Sequence, residues 1–489
     1  MRIIYFFANL FILFTSQGQP GAPAPYGVLP SERQLKWHEM EMYVLVHFTP
    51  TTFENKEWGY GDADPAIFNP KQFDAEQIVA AVKAGGFKGM ILVSKHHDGF
   101  CLWPTKTTPY NISKSPWKNG KGDMVKEFEK ACRKYGIEFG VYCSPWDRNN
   151  PKYGTADYVK TYRAQLKELY TGYGKLFMSW HDGANGGDGY YGGKKETRTI
   201  DRSVYYGWDS TWSMTRKLQP SATIFSDMGW DVRWVGNEKG EAAETSWATF
   251  TPIPDDGKTK VGPGDMKYDN SPTGTRNGKF WIPAECDVPL RPGWFYHPEQ
   301  DDKVKSASQL FELYLKSVGR GGCLDLGIAP DTRGLLHEND VKSLAQFGNL
   351  IKKTFETDLA KQAVITSSNT RNKNNKLFGT ANLTDGDRYS YWSADDSVKD
   401  SEVMFEWMEA RAFSLFRIRE NIKLGQRVES FKVDAWVNGG WSEIAAGTSI
   451  GTARILLFPT IRTNKIRVRF ENCVVAPAIS EIAVFNMPD

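Results

Sequence analysis

Cysteine, net charge and long apolar runs are all scarce in this 489-residue chain. The six cysteines (101, 132, 143, 286, 323 and 473) are scattered and show no CxxC spacing. That excludes a disulfide scaffold and a ribbon-type zinc site; the thiols read as mostly buried, with room for one disulfide at most. Against 58 acidic residues stand 61 basic ones, a balance of +3, which leaves no electrostatic footprint for nucleic acid or for an anionic membrane. Beyond the first 14 residues no stretch is long and apolar enough to cross a bilayer. HExxH, internal repeats and low-complexity tails are missing as well.

What is present begins with Met1-Arg2 and a short apolar run ending at Phe14. One positive charge ahead of such a run fits a signal peptide, assigned to residues 1–20, and predicts export to the periplasm or the extracellular space. Aromatic residues make up 13% of the chain, 17 of them Trp; their flat apolar faces suit the C–H patches of sugar rings, although large β-rich proteins carry many aromatics for packing alone.

From about residue 41 to 350, apolar runs of strand length alternate with helix-period segments. The runs are 42–48, 87–94, 137–142, 175–180, 222–225 and 323–328. Between them lie amphipathic helices such as Asp74–Ala84, with Asp74 as cap, Gln77 at the third position and Gly85 after the end. Near-continuous apolar strands alternating with helices indicate a parallel sheet buried on both faces. The length and number of repeats favour an α/β fold of the (β/α)8 type, a TIM barrel, over residues 21–355, with irregularity between 185 and 300. After residue 355 short alternating runs (402–407, 414–419, 430–436, 452–458, 465–470) read as an all-β sandwich over 356–489.

Barrels of this kind place their chemistry at the C-terminal ends of the strands. Those ends carry His47, His96-His97-Asp98, Tyr142 to Asp147, and His181-Asp182-Gly183, so four of seven histidines fall on one rim. Metal binding is disfavoured: His96 and His97 would point to opposite sides of a continuing strand, and no ligand spacing is present. Asp182, delivered by an apolar run and followed by glycine, is the sharpest candidate; its alternative is to cap the next helix. Glycoside chemistry by two carboxyls needs a second acid, and Asp98, Asp147, Asp227, Asp231, Glu238, Glu285 and Asp287 all lie in candidate loops. Spacing does not choose among them. Two other motifs lack their context: the GxGxxG of 187–192 opens no helix, and the GxSxG of 447–451 sits among short strands.

The segment Trp180-His181-Asp182-Gly183-Ala184 resembles the α-L-fucosidases of glycoside hydrolase family 29, as do Val46-His47-Phe48, 94–100, 140–147, 231–238 and 283–297. The resemblance spans roughly residues 30–350. It implies that Asp182 is the nucleophile and Glu238 the general acid/base, with Glu285 as rival. It also implies a fucose pocket lined by His47, Trp58, His96, His97, Tyr142 and His181. No metal and no cofactor is implied for catalysis, and the partner is a fucosylated glycan. Segments 231–238 and 283–297 look more like the subgroup that prefers α1,3/1,4-linked fucose, whereas Asn185–Arg202 looks longer than usual. The C-terminal part resembles a galactose-binding-like (F5/8 type C) domain through Asn382–Asp387 and Trp392, where Asp385 and Asp387 are oxygen donors of the kind calcium takes. A retaining glycosidase of another specificity, or a glycan-binding protein without activity, are the competing readings.

Overall fold

The computed structural model describes residues 21–471 and 473–488; residues 1–20, where the sequence reading expects a signal peptide, lie outside them. Eight parallel strands close into a barrel: β1 (Met42–Val46), β2 (Gly89–Lys95), β3 (Glu138–Cys143), β4 (Met178–Trp180), β5 (Thr223–Ser226), β6 (Val232–Trp234), β7 (Ala284–Pro289) and β8 (Cys323–Ile328). Each pairs with its sequence neighbours, and β1 pairs with β8, Met42 against Leu324 through Val46 against Ile328, to complete the ring. Nearly every residue of these strands is buried, as an inner barrel wrapped by helices demands.

The helices form for local reasons. In α1 (Ala75–Ala84) Asp74 caps the free N–H groups of Glu76 and Gln77, and Ile78, Val79 and Val82 share the buried face. Burying such a side chain stabilises by roughly 1.5–3 kcal/mol. Gln77 does not close a capping box; its amide brackets the backbone of Leu336 instead, tying the helix to the end of the barrel. Helices α2 (Met124–Tyr135), α3 (Ala156–Gly172) and α4 (Trp208–Leu218) precede β3, β4 and β5. No helix separates β5 from β6 or β6 from β7, so the barrel is irregular within 185–300. Helices α5 (Ala307–Lys316) and α6 (Glu338–Phe355) flank β8.

The C-terminal part is a wholly antiparallel assembly of β9 (Val364–Ser367), β10 (Trp392–Ser393), β11 (Ser401–Glu420), β12 (Phe431–Val437), β13 (Gly440–Gly447), β14 (Arg454–Phe470) and β15 (Ala478–Phe485). Two pairs of runs that the alternation separates are single long strands here. In β11 register shifts after Glu406 and Phe413 absorb the break, since an extra residue bends a strand without ending it. The exposed stretch around Met408 disguises that continuity. Inside lie Trp392, Phe405, Phe416, Phe431, Phe470 and Ile482. All six cysteines are free and buried, so no disulfide forms.

Candidate active site

The C-terminal ends of β1 to β4, β6 and β7 surround one inner cavity of about 110 Å³, a size that suits one sugar ring. Its walls are His47, Glu57, Trp58, His96, His97, Tyr142, Asp182, Glu238, Asp287 and Trp294, with Leu45, Trp180 and Ala184. Past Asp182, Glu238 and Asp287 it opens into an outer hollow of about 290 Å³ walled by Arg202, Asp227, Trp234 and Tyr268.

Asp182 follows directly on β4. Its Oδ2 accepts the Tyr142 hydroxyl at 2.9 Å and its Oδ1 accepts the Ala184 N–H at 2.6 Å. Burial raises its carboxyl to about 6, against those two hydrogen bonds, which lower it. Gly183 is required beside it: a Cβ there would lie 1.9 Å from an Asp227 carboxylate oxygen. His97 Nε2 stands 3.8 Å from Asp182. Burial, with repulsion from Arg148 and Lys95, lowers His97 to about 3, so a neutral imidazole faces the carboxylate. Burial likewise lowers His47 to about 3 and His96 well below the ordinary range. Neutral imidazoles offer one donor and one acceptor each, which suits sugar hydroxyls.

Both His96 and His97 reach the cavity, contrary to the alternation expected of a continuing strand. Strand β2 ends at Lys95 after a register shift, and a turn closed by Gly99 N–H on His96 O brings the two rings to 4.1 Å. His97 Nδ1 is held 2.7 Å from Ser144 Oγ. Trp58 is half exposed and meets His97 and Trp146 edge-on, at 5.1 and 5.7 Å.

Glu238 stands at the exposed lip of the cavity, beyond β6. Burial raises its carboxyl, a hydrogen bond with the Trp294 side chain lowers it, and the negative charges of Asp182 and Glu57 raise it further. The charge of Asp182 is thus one of the causes that favour the protonated form of Glu238.

The remaining candidate carboxyls sort by their partners. Asp98 accepts from Thr49, Thr51 and the Phe100 N–H. Asp147 pairs with Lys95, and Asp231 with Arg33 and Arg216. Asp227 accepts from Tyr268 and the Gly264 N–H in the outer hollow. Glu285 is off the cavity wall: fully buried, it accepts from Tyr43 and from Trp180 Nε1 (2.7 Å). Burial pushes it up to about 7. His181 also turns away, its ring between Tyr162 (2.8 Å) and Ser179 (3.1 Å).

Three further residues on the cavity wall are Asp287, one of the seven candidate carboxyls, and Glu57 and Trp294, which the sequence reading did not single out. Asp287 accepts from Trp234 Nε1 at 2.7 Å, and burial, with the charges of Glu285 and Glu238, pushes its carboxyl far up. Glu57 takes the Trp294 and Phe295 N–H groups and lies 3.0 Å from His297 Nε2. The third is Trp294; both it and His297 belong to the 283–297 segment, which links Glu57 to a motif already singled out.

In the sandwich, Asp385 and Asp387 spend their oxygens on their own loop, accepting from Asp387 N–H, Ser390 and Tyr389 N–H. Among the described residues no three His, Cys, Asp or Glu side chains gather as metal ligands.

The α-L-fucosidase family model matches residues 24–356. Alpha-L-fucosidase 1 of Arabidopsis thaliana is 37% identical over 467 residues, covering 95% of this chain and 88% of that protein. A glycoside hydrolase 29 family member from an unknown rumen bacterium is 39% identical with a TM-score of 0.82, covering 95% of this chain and 78% of that one. A Ruminococcus gnavus family 29 fucosidase, solved in complex with fucose, is 29% identical with a TM-score of 0.86, covering 97% and 98%. These enzymes need no cofactor for catalysis. The chain belongs to the α-L-fucosidases of glycoside hydrolase family 29.

Proposed function

We propose that this chain is an exo-acting, retaining α-L-fucosidase that removes terminal α1,3/1,4-linked fucose from glycans. The observation that carries this reading is the pair of carboxyls, Asp182 and Glu238, on the wall of one small cavity. Ionised Asp182 attacks the anomeric carbon as Glu238 gives its proton to the departing glycosidic oxygen, which leaves a fucosyl ester on Asp182. Glu238, now a base, takes a proton from water as that water attacks the same carbon, releasing fucose with net retention. Retention asks for carboxyls roughly 5–5.5 Å apart.

Fucose in the complex of the R. gnavus relative supports fucose as the sugar held here. His47, His96 and His97 would share its hydroxyls, and Trp58 would cover an apolar face. The outer hollow, with Arg202, Asp227, Trp234 and Tyr268, is the place for the rest of the glycan. The branched-linkage preference rests on the 231–238 and 283–297 segments. The galactose-binding-like character of the sandwich and export through residues 1–20 belong to the same proposal.

The test is free fucose released from α1,2-, α1,3-, α1,4- and α1,6-linked oligosaccharides, with Asp182→Ala as control. Release from Lewis-type α1,3 and α1,4 substrates, lost in the variant, is expected. Preference for α1,2 or α1,6 would refute the linkage, and activity near wild type in Asp182→Ala would refute the nucleophile.

A further inference from the structure

Glu238 sits in an irregular segment whose local ties come from Asn237, which accepts the Lys239 N–H and donates to Glu241 O, both at 3.0 Å. Gly236 and Gly240 flank it, both in the left-handed region at φ 88° and 72°. Glycine in such positions carries little conformational preference of its own. Residues 235–248 then run without helix or strand until the short strand Thr249–Phe250.

Part of the backbone of that segment is held by the catalytic domain, where Ala242, Ala243 and Trp247 donate to Lys316 O, Pro272 O and Thr273 O, and its end, residues 244–248, finds its further partners in the other domain. The Ser246 N–H donates to Ser449 Oγ at 2.8 Å, and the Ala248 N–H donates to Gln426 Oε1 at 2.9 Å. Gln426 Nε2 donates back to Ser246 O at 2.9 Å, so one amide reads the segment twice. Arg454 donates to Glu244 O at 2.7 Å and pairs with the Glu244 carboxylate. Arg320 of the barrel pairs with the same carboxylate and donates to Ala242 O at 2.6 Å. Buried backbone groups must find partners, and Gln426, Ser449 and Arg454 all come from the sandwich.

Those three are themselves held by a buried carboxylate that no catalytic step uses. Glu420, at the end of β11, accepts the N–H groups of Arg427 (2.7 Å), Val428 (2.8 Å) and Gly451 (2.8 Å). It thus ties together the loop carrying Gln426 and the loop carrying Ser449 and leading to Arg454. None of these residues lines either cavity.

We infer that the C-terminal sandwich is a positioning clamp for the general acid. By pairing the backbone of 244–248 it sets the path of the segment, and with it the place from which Glu238 delivers its proton. This rests on Glu238 being the acid. Misplacing a catalytic group by about 1 Å costs up to a hundredfold in rate, so a partial loosening is expected to cost about tenfold in proton delivery.

The full-length enzyme carrying Gln426→Ala or Ser449→Ala is compared with wild type and Glu238→Ala on two aryl fucosides. 2,4-Dinitrophenol departs without a proton, whereas 4-methoxyphenol needs one. On the methoxyphenyl fucoside kcat/KM is expected to fall about tenfold in the clamp variants and a hundredfold or more in Glu238→Ala. On the dinitrophenyl fucoside kcat/KM, which reports formation of the ester alone, should stay within about threefold of wild type in every variant, as no proton is needed by that leaving group. Ser449→Ala removes a single acceptor, which preserves the test should Gln426→Ala not fold. Equal losses on both substrates, or no loss on either, would overturn the clamp while Glu238→Ala still separates the two. If Glu238→Ala itself treats the two alike, the acid assignment fails and the clamp with it.

Discussion

Replacing Glu285 by glutamine separates the two carboxyls that compete for the role of acid. Glu285 Oε1 accepts from Trp180 and Oε2 from Tyr43, while the Tyr43 oxygen already accepts from Trp37 Nε1 at 3.0 Å. Glutamine can keep its oxygen towards Trp180, but its NH2 then faces the Tyr43 hydroxyl, whose proton loses its acceptor. One stranded buried donor costs roughly 1–3 kcal/mol, a fall of a few degrees in melting temperature. Catalysis should hardly change, because Glu285 is fully buried off the cavity wall. Glu285→Gln is therefore expected to lower thermal stability and to keep kcat on a poor-leaving-group fucoside within about fivefold of wild type, whereas loss of a true general acid costs 10²–10⁴. Differential scanning fluorimetry and steady-state kinetics on one preparation measure both. A loss of a hundredfold or more with rescue by azide would refute the reasoning and make Glu285 the acid.

Gly183→Ala would drive a methyl into the Asp227 carboxylate, 1.9 Å from the ideal Cβ, and shift the neighbouring Asp182; kcat should fall by about a hundredfold with the circular dichroism spectrum retained, and near-normal turnover would contradict it. The pH dependence follows from Asp182, which burial raises to about 6 and which must be ionised to attack. Activity is thus present above that value and lost as pH falls through it; kcat/KM should drop about tenfold per unit below pH 6, and an acid limb near pH 4 would show an exposed, unperturbed carboxylate. Trp58→Ala removes an exposed aromatic wall; a KM rise of about three- to tenfold is expected from a lost stacking face, and an unchanged KM would remove Trp58 from the pocket.

Much of the fold was legible because burial on both faces leaves a plain mark. Val44, Leu92, Val141 and Leu326 sit in apolar runs bounded by turn residues, and those runs are the barrel strands. The stretch between β5 and β7 was opaque because it contains no helix to set a period, and its shape comes from Arg233. That buried guanidinium donates to the carbonyls of Ser271, Trp247 and Ile282, far apart in sequence. Asp182 stood out as a carboxylate at a strand end. Glu238 did not, because it follows a strand of three residues and its partners lie in another domain. Spacing did not separate Glu285 from Glu238, which only the resemblance favoured; in the barrel's interior Tyr43 and Trp180 claim Glu285. His181 reads like its rim neighbours, yet Tyr162 draws its ring outward.

The central claim, a fucosyl ester on Asp182, is tested most directly by mechanism-based labelling. A 2-deoxy-2-fluoro-fucosyl fluoride slows both steps but leaves fluoride as a good leaving group, so the covalent intermediate accumulates when the enzyme is retaining. Peptide mass spectrometry of the labelled protein should place the added fluorofucosyl mass on Asp182. Label on another residue, or none with an enzyme that still turns over an aryl fucoside, would contradict the account.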